Sequence, residues 1–312
     1  MNIILDVDTG YDDALAILLA ARTPSVNVLG ITCVAGNHYL DQIVTNTLKI
    51  LDVAGAPAIP VAAGCLTPLM EVVRLPDRLH GGDGMADLGL PISPRSTVPF
   101  HAVELLRRLL TDASQPVTIV ALAPMTNLAV FLRMYPHLRH KIERIVIMGG
   151  AHITFGNTSP TAEFNIRCDP DAAHIVLSSG LPITLYPLDP FRQVAVRQDE
   201  AEAMTNSASW PTQIAGRICA SVMKVFKRDH AFIGDAGAVA VAIDPTRANI
   251  QRFPITVELS GSPATRGMTV IDRRNAYQRA SLTEWWHTSA YECDVVTEVD
   301  ANYYKAMFLA AL

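Results

Sequence analysis

An α/β fold with a mostly parallel open sheet, flanked by helices on both faces, is predicted by three observations. Short apolar runs, which read as buried strands, alternate with stretches of helical periodicity along most of the chain. The 312 residues are half hydrophobic and only 18% charged, enough for a large core and too apolar for a disordered chain. No repeat, low-complexity segment or shift of composition marks a linker, so the reading is a single domain over residues 1–312.

The elements follow in order. Asn2–Val7 reads as a buried strand. Asp12–Ala21 reads as a helix, because Ala14, Leu15, Leu18 and Leu19 share a face. Val26–Val34 is the next strand, and Leu40–Ala54 is a helix stopped by Gly55 and Pro57. Val98–Leu110 and Thr126–Met134 are helical and flank the strand Val117–Leu122. Ile142–Met148 is a strand closed by two glycines, Pro170–Ser179 a helix ended by Gly180, and Ile183–Tyr186 a further strand. This βαβα order calls for parallel strands joined by right-handed crossovers. Pro57–Pro99, rich in Gly and Pro, reads as long loops, and Glu200–Val241 as mainly helical, with a further helix at Asp235–Ile243.

Charge and cysteine usage exclude several classes. The net charge is −5 and there is no long basic run, which argues against nucleic-acid or anionic-membrane partners. The five cysteines are scattered and odd in number, giving neither a disulfide framework nor a CxxC metal site and suggesting a reducing compartment. With no basic leader and no apolar run of about 18 residues, the expectation is a soluble cytoplasmic protein.

The chemistry is concentrated where the first strand gives way to the first helix. Asp6, Asp8, Asp12 and Asp13 fall within Asp6–Ala14, DVDTGYDDA. In open α/β sheets this strand end is where ligands bind. Asp6 and Asp8 share parity, so they point to one side if the strand continues. Carboxylates this close repel unless a cation or a shared proton compensates, and an all-oxygen set favours Ca2+ or Mg2+ over zinc. Simple helix capping is the bland alternative. A second enzymatic reading is the DxDx[TV] start of haloacid-dehalogenase-type phosphatases, in which Asp6 is the nucleophile; here Gly10 stands at the fifth position.

Other polar groups sit at later strand ends: Gly36-Asn37, Pro124–Ala129 (PMTNLA), Ile147–Ala151 (IMGGA), Gly156-Asn157 and Ala162–Ile166 (AEFNI). Together with CVAGN at Cys33–Asn37, HGGDG at His80–Gly84 and RGMTVID at Arg266–Asp272, this ordered set of blocks resembles the inosine-uridine-preferring nucleoside hydrolase family over residues 2–272. The resemblance implies a Rossmann-like core, a tightly bound Ca2+ and hydrolysis of the N-glycosidic bond of a small-molecule ribonucleoside or riboside. It also implies a homodimer or homotetramer.

Carried over by motif, Asp8, Asp13 and Asp235 match metal-binding carboxylates and the carbonyl of Leu122 a backbone ligand. Asp8 also matches the general base that activates a water. Asp12 and Asn165 match groups that hold ribose hydroxyls, Asn157 and Glu163 contacts on the 5′-hydroxyl side, and Asn37 an Asn beside the ribose and the water. His80 matches a His on a loop near the base. Glu163 and Asn165 share parity on what reads as an extended segment, which turns both towards one pocket. These types suit the chemistry: cleavage passes through an oxocarbenium-like state, Ca2+ accepts six to eight oxygen ligands, and amides and carboxylates bond a triol.

Two positions depart from the family. Its purine-active members carry His-Asp where this chain has Gly234-Asp235, and Gly234 has no side chain with which to protonate a leaving base. Ala123 replaces a usual Gly. His230 is a possible substitute acid if the preceding helix ends there, with a surface His as its plain alternative. Phe226, Phe232 or Tyr277 offers an aromatic face for the base. Gly234 also keeps open a riboside-binding protein with weak or no turnover.

Overall fold

The N-terminal run sets the frame. In the computed structural model, which describes residues 1–73, 81–275, 277–278 and 291–312, β1 (Asn2–Val7) passes through Asp8, Thr9 and Gly10 into α1 (Tyr11–Arg22). The chain continues as β2 (Asn27–Cys33), α2 (Leu40–Val53), β3 (Val61–Ala63), α3 (Ala102–Asp112), β4 (Val117–Ala121), α4 (Thr126–Met134), β5 (Ile142–Met148), α5 (Phe164–Cys168), α6 (Pro170–Leu177) and β6 (Ile183–Tyr186). These strands pair in parallel in the order β3-β2-β1-β4-β5-β6. The winding direction therefore reverses at β1, which opens a crevice beyond the carboxyl ends of β1 and β4.

Next come α7 (Leu188–Phe191), β7 (Ala195–Arg197), α8 (Gln198–Thr205), α9 (Trp210–Phe226), β8 (His230–Phe232) and α10 (Asp235–Ile243). β7 and β8 make a small antiparallel sheet. The main sheet is completed by β9 (Ala248–Val257), β10 (Thr269–Ile271) and β11 (Tyr291–Val299). β11 lies parallel to β6, while β9 runs antiparallel to both β11 and β10. A helix over Ala301–Ala311 follows. The sheet is thus mixed but mostly parallel, as the βαβα order requires.

Strand parity divides the core. Ile3, Leu5 and Val7 pack with α1, α2 and α10, whereas Ile4 packs with α3, α4 and α6. α1 is buried along most of its length because α2, α9, α10 and the C-terminal helix cover it. This explains why its sequence is apolar on more than one face.

Three expectations need correction. Pro57–Pro99 is not all loop: Val61–Ala63 forms the edge strand β3. α3 starts at Ala102 rather than Val98, because the Val98 N–H bonds the Val61 carbonyl (2.9 Å) and the His101 ring caps the helix by accepting the Val103 N–H (3.2 Å). Glu200–Val241 is interrupted by β8, because Lys227 takes a left-handed conformation (φ 51°) and ends α9. Among the described residues no helix is long and apolar enough to cross a membrane, and all five cysteines are free thiols.

Candidate metal and substrate site

The floor of the crevice is the β1–α1 turn. Asp13 folds back on it, accepting the Asp8 N–H at Oδ1 (3.2 Å) and the Gly10 N–H at Oδ2 (3.0 Å). Asp8 Oδ2 accepts the Asn37 N–H (2.8 Å), and the Asn37 amide reaches the Asp8 carbonyl (3.2 Å) and Asp13 Oδ2 (3.4 Å). Position 36 must be Gly for this approach, since a Cβ there would lie 2.0 Å from Asp8 Oδ2. Asp235 arrives from the start of α10. Asp12, Asp13 and Asp235 each offer an oxygen, all within 4.8 Å of one another.

Electrostatics at this floor call for a cation. Asp8 Oδ1 and Asp235 Oδ1 are buried with no hydrogen-bond partner among the described residues. Burial, followed by neighbouring carboxylates, pushes the Asp13 carboxyl up to about 8 and those of Asp8 and Asp235 well above the usual range. Ionising such a group away from water is costly unless a positive charge answers it. The donors are all hard oxygens, so the residues present fit a divalent cation of the Ca2+ or Mg2+ type. Asp6 does not share this site. The strand ends at Val7, and Asp6 instead accepts bonds from Thr32 Oγ1 (2.6 Å) and Asn127 Nδ2 (2.9 Å). The shared side expected for Asp6 and Asp8 is therefore not found.

Above the floor is a cavity of about 250 Å3 whose lining includes Asp12, Asn37, Leu122, Asn157, Glu163 and Asn165. Asn165 Nδ2 donates to the carbonyls of Leu122 (2.8 Å) and Met148 (3.2 Å). Glu163 is the N-cap of α5, its carboxylate accepting the N–H groups of Asn165 (2.8 Å), Gly150 (3.0 Å) and Ile166 (3.1 Å). Burial outweighs these bonds and raises its carboxyl to about 7. Glu163 and Asn165 both line the cavity, but through a cap and a helix rather than the extended segment expected. Asn157 Oδ1 accepts the Phe164 N–H (2.9 Å), which ties that loop to the same helix.

The remaining wall is aromatic and basic. Phe191, Arg192, Phe226, Arg228, His230 and Phe232 all line it. His230 reaches the cavity because α9 has already ended. Its Nδ1 bonds Asp229 Oδ1 (2.8 Å), and its ring lies 4.9 Å from that of Phe232. Of the aromatic candidates, Phe226 and Phe232 line the cavity, whereas Tyr277 is 81% exposed and is not part of its lining. Gly234 has φ +55°, and a Cβ there would lie 2.6 Å from Asp12 Cβ and 3.0 Å from the Phe191 ring. Phe191 thus stands where a side chain at position 234 would go. Tyr11, Phe191, Arg192 and Arg228 also line the cavity and were not singled out by motif. His80 lies outside the described residues.

The model of the inosine-uridine preferring nucleoside hydrolase family matches residues 3–306. An inosine-uridine preferring nucleoside hydrolase of Leishmania major is 38% identical over 282 residues, covering 88% of each chain. A pyrimidine-specific ribonucleoside hydrolase, RihA, of Salmonella schwarzengrund is 38% identical over 277 residues, covering 87% of this chain and 88% of that one. The solved plant nucleoside hydrolase PpNRh1 matches with a TM-score of 0.90 at 27% identity, over 99% of this chain and 98% of that one. The haloacid-dehalogenase reading is overturned by these matches. Asp6, its required nucleophile, is moreover buried against Thr32 and Asn127 and absent from the cavity wall.

Proposed function

This chain belongs to the inosine-uridine preferring nucleoside hydrolase family, and from that premise we propose that it hydrolyses the N-glycosidic bond of ribonucleosides or related ribosides to ribose and free base, with Ca2+ as its cation. The observation that carries the reading is the convergence of Asp12, Asp13 and Asp235, with unpartnered buried oxygens on Asp8 and Asp235. In this reading Asp8, Asp13, Asp235 and the Leu122 carbonyl would hold the ion, with Asp12 beside them on the cavity wall. When bound, Ca2+ supplies positive charge that gathers ribose hydroxyls and makes a nearby water more acidic.

The protein's own groups do the rest. Asp8 Oδ2 is held by the Asn37 N–H, so Oδ1 is the oxygen left both to hold the ion and to take a proton from the attacking water. Asn37 fixes that geometry and lines the ribose side. Asp12 and Asn165 hold ribose hydroxyls, while Asn157 and Glu163 serve the 5′-hydroxyl. Glu163, already accepting three N–H bonds, acts as a fixed acceptor rather than a mobile base. As the bond breaks, these carboxylates stabilise positive charge developing on the sugar. His230, oriented by Asp229, is the group in reach to protonate a departing base.

Reducing-sugar release across a nucleoside panel tests the reading. Ribose should appear from uridine, inosine or p-nitrophenyl riboside, and chelation should abolish it until Ca2+ is restored. Binding of the whole panel without release of ribose would replace hydrolysis with recognition alone. A single domain over 1–312, assembled as a homodimer or homotetramer in the cytoplasm, completes the proposal. Sedimentation analysis checks the assembly.

A further inference from the structure

Arg192 and Arg228 line the cavity, and neither forms an ion pair among the described residues. Other arginines are used up within the fold: Arg95, Arg107, Arg266 and Arg274 each hold a carboxylate, and Arg22, Arg139, Arg144 and Arg217 donate to backbone carbonyls. Arg192 follows α7. Its Nη1 donates to Thr154 Oγ1 (2.5 Å), and its Cζ lies 4.6 Å from the centre of the Phe155 ring. Arg228 follows the left-handed turn at Lys227, with its N–H on the Met223 carbonyl (3.0 Å) and its Cζ 5.5 Å from the Phe226 ring and 5.6 Å from the Phe232 ring.

The two carboxylates nearest in sequence are already engaged by other groups. Asp189 accepts the N–H groups of His152 (2.7 Å), Ile153 (2.9 Å) and Thr154 (3.0 Å), and Asp229 bonds His230 (2.8 Å). Burial pulls Arg192 below its usual range, Asp189 opposes this, and Arg228 is near enough to add repulsion. Two like charges have therefore been brought to one aromatic wall with no carboxylate bound directly to either guanidinium among the described residues, Asp189 acting on Arg192 only from a distance. The aromatic faces suit a flat ring, and guanidinium groups suit a carboxylate.

We infer that Arg192 and Arg228 form an anion-accepting rim on the base side of the cavity, selecting ribosides whose base bears a carboxylate or comparable negative group. This rests on the nucleoside hydrolase reading and names its substrate class. A charge-assisted contact from one guanidinium corresponds to a preference of about tenfold or more.

Nicotinate riboside and nicotinamide riboside are matched probes, differing only in carboxylate against carboxamide. Their C1′–N bond breaks with the electron pair staying on the ring nitrogen, while water bonds C1′ and gives its proton to Asp8. No proton is needed by the leaving base, so the arginines are tested apart from His230. The acid should exceed the amide in kcat/KM by about tenfold or more. The ratio should fall towards one in Arg228→Ala and Arg192→Ala, be partly kept in Arg228→Lys, and shrink at high salt. An acid no better than the amide overturns the rim. A preference for nicotinamide mononucleotide over its nucleoside, without one for the acid, moves the anion to the 5′-phosphate and overturns the assignment to the base. If no riboside, uridine and inosine included, is hydrolysed, the nucleoside hydrolase reading fails separately. Calorimetry with free nicotinate and nicotinamide then decides the rim: tighter nicotinate sustains it, and equal affinity overturns it.

Discussion

On one side of the cavity Asp8, Asp13 and Asp235 are 0%, 0% and 2% exposed, and backbone N–H groups fix Asp13 and one oxygen of Asp8. On the other, Phe226 is 42% exposed and Arg228 stands in solvent beside it. The contrast separates two kinds of constraint. A buried carboxylate set must satisfy charge, cation and backbone at once, so almost any substitution there breaks something. A partly exposed aromatic wall tolerates exchange. The relatives differ in the preference their names carry: one is named inosine-uridine preferring, another pyrimidine-specific. In the proposed reading, chemistry is held on the floor and preference is set on the wall.

The sharpest way to break this comparison is to remove one hydroxyl from the sugar. Uridine should be preferred to 2′-deoxyuridine by up to ~10⁴-fold in kcat/KM, since polar groups built for a hydroxyl are left unpaired by the deoxy analogue. Equal values would dissolve the proposed ribose clamp.

Asp8→Asn tests the floor next. It keeps shape and removes one of the repelling charges, so kcat should fall by ~10²–10⁴ while the thermal midpoint measured after chelation holds or rises. A kcat within tenfold of the parent would mean the proton goes elsewhere.

The wall carries the third effect. With Gly234 lacking an acid, p-nitrophenyl riboside should outpace inosine by ~10² in single-turnover rate, and His230→Ala should lower inosine hydrolysis more than p-nitrophenyl riboside hydrolysis. Similar rates for the two substrates in the parent protein would place another acid in the cavity.

The smallest effect is structural. Gly234→Ala meets the left-handed φ and the 2.6 Å approach to Asp12 Cβ, and should lose about 2 kcal/mol or more in urea unfolding. Parental stability would show that Phe191 yields, and that a larger residue at 234 is admissible.

Much of the floor was legible because its residues are local. Asp8, Asp12 and Asp13 lie on one turn, and the strand–turn–helix order dictates which sheet edge it occupies. The wall was not legible, because Phe191, Arg192 and Arg228 come from separate connections that meet only in the folded chain, and none carries a motif. β8 was hidden by a helix that ends on a lysine instead of a glycine, a stop that propensity does not announce. β3 was missed because three residues bracketed by prolines and glycines show no period. Parity failed for Asp6 and Asp8 because the strand stops between them, so alternation no longer governs the second. For Glu163 and Asn165 parity named residues that do line the cavity, but by a wrong route, since a cap and a first helical turn can face one pocket as two strand residues do.

The burial of α1 has a kinetic meaning. Its amino end carries Asp13 and adjoins Asp8, and the rest of the helix is walled in by other helices. Among the described residues the floor is closed, so an ion seated there would leave past Asp12 into the cavity. Its residence time is then set by how often that mouth opens, and withdrawal by a chelator should reach a ceiling rate that more chelator does not raise.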